Sequence, residues 1–310
     1  MNAQRAQATD GRWHFQHGPI DIMIGAEGDA LALKAAHDKA WERFKYILQE
    51  LVQELALLRL PIKGVCPVSG PIARRMWLAC KPYQTSADNS FITPMAAVAG
   101  SVAQELLQFY QVAGIKRAWI NNGGDIAIHL ARNQSVSVGL YANLGRFNAA
   151  RLLHGITLDG QFKICSDSAV RGVATSGWRG RSLSLGIADS VTVLAPTAAQ
   201  ADAAATVIAN AVNTEHARIA RRPACEIKDD SDLGATPVTV DVPPLPPELV
   251  RRALVAGLAC ASTLRAKGLI CSAVLVCQNQ HMITQDMTDH HQQSMTVMPK
   301  AIAGQGTEYA

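Results

Sequence analysis

Residues 172–213 read GVATSGWRGRSLSLGIADSVTVLAPTAAQADAAATVIANAVN, and the fold turns on this stretch. It opens with small residues, Ala174-Thr175-Ser176-Gly177. A β run follows, Ser190-Val191-Thr192-Val193-Leu194-Ala195, in which β-branched residues recur. Pro196 and Thr197 end the strand and open a helix. That helix is very rich in Ala, the strongest helix former. On it Asp202 and Thr206 sit four residues apart, which puts them on one face, a turn apart. A carboxylate and a hydroxyl converging beside a backbone turn suit a hard cation such as Mg2+, which takes oxygen ligands and keeps waters. The same pair also has a purely structural reading. Asp202 then favours the helix N-terminal end and Thr206 packs.

A second stretch, Arg117-Ala118-Trp119-Ile120-Asn121-Asn122-Gly123-Gly124-Asp125-Ile126-Ala127-Ile128, reads as a strand interrupted by a Gly pair and then resumed. Glycines inside a strand pattern mark a bulge or a close approach by something else. A ligand ring, a phosphate or a neighbouring strand all fit. It is not a dinucleotide fingerprint: the G-x-G-x-x-G spacing is absent and no helix pattern follows at once.

Together the two stretches resemble the FAD:protein FMN transferase (ApbE) superfamily. The family pattern runs Asn-x-Gly-Gly-Asp, Ala-Thr-Ser-Gly, Ser-Val-Thr-Val, then Ala-Asp-x-x-Ala-Thr. Here these are Asn121 to Asp125, Ala174 to Gly177, Ser190 to Val193, and Ala201, Asp202, Ala205 and Thr206. The match is better to an ApbE-like branch than to the transferases themselves, and it covers roughly residues 15–280. The resemblance implies an α+β fold related to the T-fold, an antiparallel sheet carrying long helices. It implies a ligand pocket for FAD, FMN or a similar fused-ring compound, lined by Thr93, Met95, Asn121, Asn122, Gly123, Gly124, Asp125, Thr175, Ser176 and Gly177. It implies Mg2+ held by Asp202, Thr206 and a backbone carbonyl near Val98. Asp202, Thr206 and Asp189 are the candidate catalytic groups.

Two departures from the family pattern bear on chemistry. The transferases carry Ala-Lys-Gly where this chain has Ala99 before Gly100, so a positive charge near the phosphates is lost. They also carry a His-Ile-Ile-Asp-Pro segment whose His helps catalysis. This chain instead runs Trp178 to Asp189 and has no His between His154 and His216. Loss of a general acid or base costs about a hundred- to ten-thousandfold in rate. Three readings therefore stay open: an enzyme with altered chemistry on a flavin or related ring, an FMN transferase acting on a partner's Thr through other residues, and a non-catalytic binding or scaffold protein. The missing His and Lys favour the first and third. Retained Asp202 and Thr206 favour the first and second.

The bulk numbers narrow the partners. The chain has 310 residues, 48% hydrophobic content and a net charge of +4. A sizeable core is within reach. The charge is too small and too scattered for nucleic acid, and aromatic residues are few for base stacking. The seven cysteines are odd in number and form no C-x-x-C, which reads as buried free thiols in a reducing compartment. The N-terminal residues have no apolar core of a signal peptide, and no 18-residue apolar run occurs, so a cytoplasmic protein away from membranes is expected. A homo-oligomer is compatible with the sequence.

Along the chain, residues 1–12 and 281–310 are polar and expected to be disordered, with one domain over 13–280. Apolar residues at helical spacing predict one long helix over 29–58. Arg74 and Arg75, near a short helix, are placed to reach phosphate oxygens or simply to be solvated. Small residues from Ala96 to Ala103 predict a helix that another backbone or a flat ligand approaches closely. A hairpin partner for the 118–130 strand is expected near residues 135–141, and a further strand near 153–158. The last helix is expected over 248–267, capped by Gly268, and the last strand over 269–277.

Overall fold

A computed structural model describes residues 2–84, 91–140 and 160–284. The strand expected near 153–158 lies outside these residues, as does the chain beyond 284.

The core of the fold is one antiparallel sheet of nine strands. In spatial order these are β1 (Gln4–Gln7), β2 (Trp13–His17), β3 (Ile20–Gly28), β4 (Ile115–Asn122), β5 (Asp125–Leu130), β8 (Gly172–Ser176), β9 (Ser190–Ala195), β12 (Ser272–Cys277) and β13 (Gln280–Ile283). Two small ribbons stand apart, β6 (Ser135–Leu140) with β7 (Gly160–Cys165), and β10 (Ala220–Pro223) with β11 (Pro237–Asp241). β9 is buried along its whole length, as its apolar and β-branched run requires.

Helices lie against one face of the sheet: α1 (Ala30–Gln53), α2 (Leu55–Leu58), α3 (Pro71–Cys80), α4 (Val98–Leu107), α5 (Ala198–Ala211) and α7 (Pro247–Ala266), while the short α6 (Ala224–Ile227) packs on β10. Their apolar faces close the main core over Ile22, Ile24, Ile120, Ala127, Ala174, Val191 and Val193. A smaller core fills the opposite face, where Val173, Leu194 and Val274 meet Val138, Phe162 and Ile164 of the β6–β7 ribbon. The α+β class expected from the sequence is what the chain forms.

Local chemistry explains the helix ends. Asp29 caps α1 by accepting from the Leu31 and Ala32 amides. The expected single helix over 29–58 divides at Glu54, whose carboxylate accepts from the Ser69 and Gly70 amides. α7 ends at Gly268, where φ is +69°. There the Gly268 amide donates to Arg265 and the Leu269 amide to Leu264, a Schellman closure.

Four expectations are corrected. The Gly pair does not interrupt a strand. Gly123 and Gly124, at φ +67° and +116°, form the two-residue turn of the β4–β5 hairpin, with Asn122 paired to Asp125. Both turn positions need positive φ, which glycine adopts without steric cost. Residues 135–140 do not pair with that hairpin but with β7. The N-terminal residues are not all disordered, since β1 pairs with β2. Arg5 anchors it, lying 5.3 Å from the Trp13 ring and 5.2 Å from the Trp41 ring. The ordered chain also continues past 280 into β13, through a turn at Gln278 and Asn279. The cysteines are all free; Cys80 and Cys277 are buried, but Cys225 is exposed.

A charged knot ties α1, α3 and α4 together. Glu105 is 4% exposed and accepts from Arg43 at 2.8 Å and from Arg75 at 2.9 Å. Burial works against its charge, but the two arginines outweigh it and hold Glu105 below the usual carboxylate range. Arg75 also donates to the Ser101 carbonyl, fixing the first turn of α4. Glu105→Ala is expected to cost about 2–4 kcal/mol, because Arg75 loses its carboxylate partner and Arg43 is left with Glu50 alone. Urea unfolding measures this, and a loss below about 0.5 kcal/mol, the level of an ordinary surface change, refutes it.

Candidate active site

Side-chain alternation along three neighbouring strands sorts the sequence candidates onto two faces. Ile120 on β4, Ala127 on β5 and Ala174 on β8 all belong to the main core under the helices. Asn122, Asp125 and Ser176, two residues away on each strand, therefore face the helices too. Asn121 and Thr175 face the other way. Asn121 accepts from the Gly124 amide at 2.8 Å and locks the hairpin turn. Thr175 shares a hydroxyl contact of 2.9 Å with Thr192 on β9.

On the helix side, three elements converge. Asn122 donates to the Ala99 carbonyl at 3.1 Å, joining β4 to the first turn of α4. Asp202 on α5 accepts from the Gly100 amide at 2.9 Å. Gly100 is needed for that approach, because a Cβ there would meet the Ala198 carbonyl oxygen at 2.3 Å and the Asp202 Cβ at 3.0 Å. Asp125, at the start of β5, accepts from the Thr175 amide at 3.2 Å. The sequence puts Asp125 and Asp202 seventy-seven positions apart (202 − 125 = 77), yet the fold brings their carboxyls into each other's field.

The electrostatics of this pair are unusual. Burial pushes the Asp125 carboxyl up to about 7, against the Thr175 amide. Burial first, and then the charge of Asp125, push Asp202 well above the usual range, against the Gly100 and Ala99 amides. Among the described residues neither carboxylate forms an ion pair with Lys, Arg or His. Two buried carboxyls in each other's field, without a cation, tend to hold a proton at neutral pH or to take up a metal. Thr206 lies one turn along α5 from Asp202, half-buried, and its hydroxyl makes no hydrogen bond to another described group. The donor set is therefore two carboxylates and a hydroxyl, all hard oxygens, which fits Mg2+ and not a soft metal.

A family model described as "AbpE bacteria" matches residues 3–285. The chain belongs to the AbpE bacteria family. Similar curated proteins are UPF0280 proteins of methanogenic archaea. That of Methanosarcina barkeri is 36% identical over 204 residues, 64% of this chain and 72% of that one. That of Methanosphaerula palustris is 33% identical over 206 residues, 65% and 77%. That of Methanothermobacter thermautotrophicus is 41% identical over 140 residues, 45% of this chain, so the match spans only 50% of that relative's length. Similar solved structures include the ApbE protein of Thermotoga maritima, 13% identical, covering 91% of this chain and 95% of that one at a TM-score of 0.46. The flavinyl transferase ApbE of Pseudomonas stutzeri is 11% identical, covering 92% and 95% at 0.43.

In this AbpE bacteria chain the remaining candidates are distributed unevenly. Thr93 is buried and donates a hydrogen bond to Asp232. It also accepts from the Met95 amide, so it caps the turn entering α4. Val98 is half-buried in the first turn of α4, but the groups there that reach Asp202 are the Ala99 and Gly100 amides. Gly177 permits close packing against Asp189, whose carbonyl oxygen would lie 2.4 Å from a Cβ at that position. The Asp189 carboxylate is engaged elsewhere. It accepts from the Gln278 amide at 2.6 Å and faces Arg179 at 3.6 Å, which fastens the β12–β13 turn. Its place among the catalytic groups is not supported by these contacts, since the carboxylate holds a turn together.

One neighbour of the pair escaped the sequence reading. Cys80, the last residue of α3, is fully buried; burial first and the Asp202 charge second push its thiol well up. Nothing in the local sequence signals this contact, because it joins residues from separate helices. Arg74 and Arg75, read from the sequence as phosphate contacts or as solvated side chains, divide in role. Arg75 is committed to Glu105 and Ser101, while Arg74 is exposed on a cleft of about 560 Å³ with Gln104, Thr197 and Gln200.

No helix among the described residues is long and apolar enough to cross a membrane.

Proposed function

We propose that this protein binds a flavin or a related fused-ring compound together with Mg2+ at the Asp125–Asp202 cleft, and acts on it by chemistry other than ordinary FMN transfer. The carrying observation is the uncompensated carboxyl pair, both members raised by burial and Asp202 also by its partner. Asp125, Asp202 and Thr206 would hold the ion. When bound, it would supply positive charge to polarise a phosphoryl oxygen of the ligand. Asn122 and the Gly100 amide set the spacing between hairpin and helix, so they position the two carboxyls. Family membership and the sequence resemblance support the flavin assignment.

Titration of flavin fluorescence tests this directly. After chelation, FAD is expected to bind in Mg2+ and at least tenfold more weakly in EDTA. Asp202→Asn keeps the shape and removes a charge that the cation needs, so the metal dependence should vanish with it. Equal FAD binding by wild type and variant, with and without EDTA, refutes the metal site.

A further inference from the structure

The nine-stranded sheet has two edges, and the sequence treats them differently. β13 is tied to α7, where Gln280 donates to the Pro247 carbonyl at 3.0 Å. Among the described residues β1 pairs only with β2, and its residues are exposed along the whole strand. The hairpin fixes which backbone groups are spare. The Ala8 amide donates to the Arg12 carbonyl at 2.8 Å, so Ala8 and Arg12 form a hydrogen-bonded pair. Antiparallel pairs alternate, so Ala6 with His14 and Gln4 with Gln16 are bonded too. Arg5 and Gln7 therefore turn their N–H and C=O away from β2. That row of donors and acceptors is a template for a further strand. Sheets blunt such an edge with outward charge or proline. β1 has neither: its one charge, on Arg5, is folded onto the Trp13 and Trp41 rings and lies 3.6 Å from Asp38.

We infer that β1 is a self-association edge, which pairs antiparallel with β1 of a second copy of this chain about a two-fold axis at Ala6. The outward residues limit the register. An axis at Arg5 would set like charges opposite one another, which destabilises a strand pair. An axis at Gln4 would leave Gln7 without a partner inside the strand. An axis at Gln7 would pull Thr9, in the hairpin turn, into the ladder. An axis at Ala6 places Arg5 opposite the partner's Gln7 and Gln7 opposite the partner's Arg5. Each is then a pair that exchanges both backbone bonds. Ala6 meets its own copy in a non-bonded pair, where side chains come closest and a methyl group fits. The same axis sets the partner's Asp10 opposite Asn2. Asn2 and Ala3 border a cleft of about 590 Å³ lined also by Lys45, Tyr46 and Val52. Tyr46 is 60% exposed and Val52 56%, and covering them adds the apolar area that so short a strand lacks. Lys45 offers the carboxylate of the partner's turn an opposite charge. The inference does not rest on the metal or ligand assignments.

Analytical ultracentrifugation of the full chain measures the association, and cysteine cross-linking reads the register. The wild type is expected to dimerise at concentrations on the order of 100 μM, as a small and partly polar interface allows. Gln7→Pro removes an outward N–H from each copy and leaves the β1–β2 bonds intact, so it should weaken the dimer at least about tenfold. Gln7→Glu, opposite Arg5, should tighten it about two- to fivefold, and Gln7→Lys should loosen it by as much. With the exposed thiol removed by Cys225→Ser, Ala6→Cys should give a covalent dimer on treatment with diamide. Gln4→Cys should not, because Gln4 lies opposite the partner's Ala8. Circular dichroism melting checks that each variant folds; if Gln7→Pro does not, the Gln7→Glu and Gln7→Lys pair decides. A wild type that stays monomeric at that concentration overturns the inference. So does cross-linking at Gln4→Cys in place of Ala6→Cys, or equal dimer affinity in Gln7→Glu and Gln7→Lys.

Discussion

In metal-free buffer at pH 8, Asp125→Asn is expected to be more stable than the wild-type protein. The sign follows from linkage. Burial raises the folded-state pKa of Asp125 to about 7, well above its unfolded value. Between those two values the folded state binds a proton that the unfolded state does not. Stability is then full below the unfolded pKa and declines as pH rises through the folded one. Asp202, raised by burial and by Asp125, moves the same way. Each pKa unit corresponds to about 1.4 kcal/mol, so the pair withholds on the order of 2–4 kcal/mol at pH 8. Asn keeps the acceptor for the Thr175 amide and removes the charge. Its melting temperature should exceed that of wild type by roughly 5 °C at pH 8 and match it near pH 5. Adding Mg2+ should raise the wild type at pH 8 and leave the variant almost unmoved. A wild type whose stability is flat from pH 5 to 8, or a variant that Mg2+ stabilises equally, defeats this account of the pair. The same proton linkage would make the affinity for the proposed Mg2+ rise with pH across this range, since the cation would displace a proton.

Much of the fold was legible because its signals are local. The β9 run, the Pro196-Thr197 break and the Ala-rich α5 are each fixed by neighbouring residues, and the structure has them at Ser190–Ala195 and Ala198–Ala211. Gly268 as a helix stop is local in the same way. The Gly123-Gly124 pair shows where local reading fails. A Gly pair is compatible with a bulge, a close approach or a two-residue turn, and only the pairing of Asn122 with Asp125 decides. β1 is harder still, because Gln4–Gln7 is polar and exposed, and its order comes from Arg5 lying on two tryptophans far along the chain.

The site divides along the same line. Asp202 and Thr206 are four apart on one helix, so their shared face is written in the spacing. The significance of Asp125 is not, because a carboxylate after a turn is common. It acquires meaning only when the sheet brings it under α5 beside Asp202. Asp189 is the opposite case. A carboxylate in a replacing segment looks available in sequence, yet the Gln278 amide and Arg179 already occupy it. Cys80 enters the site region from another helix, and no pattern of spacing could nominate it.

As an FMN transferase, this protein is expected to be at least a hundredfold slower than an ApbE enzyme that carries the His segment. Transfer of FMN to a Thr hydroxyl needs that hydroxyl's proton removed and the departing AMP stabilised. No histidine of the replacing segment meets the first requirement, since none occurs between His154 and His216. Asp189, the nearest carboxylate in the replacing segment, is held by the β12–β13 turn. Asp125 and Asp202 could accept a proton, but both would hold the proposed Mg2+ and would then lose basicity. The second requirement lacks the positive charge that the transferases supply, since this chain has Ala99 at the Lys position. Ligand binding should thus survive where transfer does not, and this split is the measurable signature. Incubation with FAD, Mg2+ and an acceptor domain bearing the target Thr, read by in-gel flavin fluorescence, gives the rate. Fluorescence titration of the same sample gives FAD affinity. Bound FAD with negligible flavinylation is the expected pair of results. Flavinylation at the rate of a His-bearing transferase would show that an acid–base group outside the Asp125–Asp202 pair does the work of the histidine. Insertion of His within the segment 178–189 should then add nothing, whereas in a site limited by proton transfer it should raise the rate.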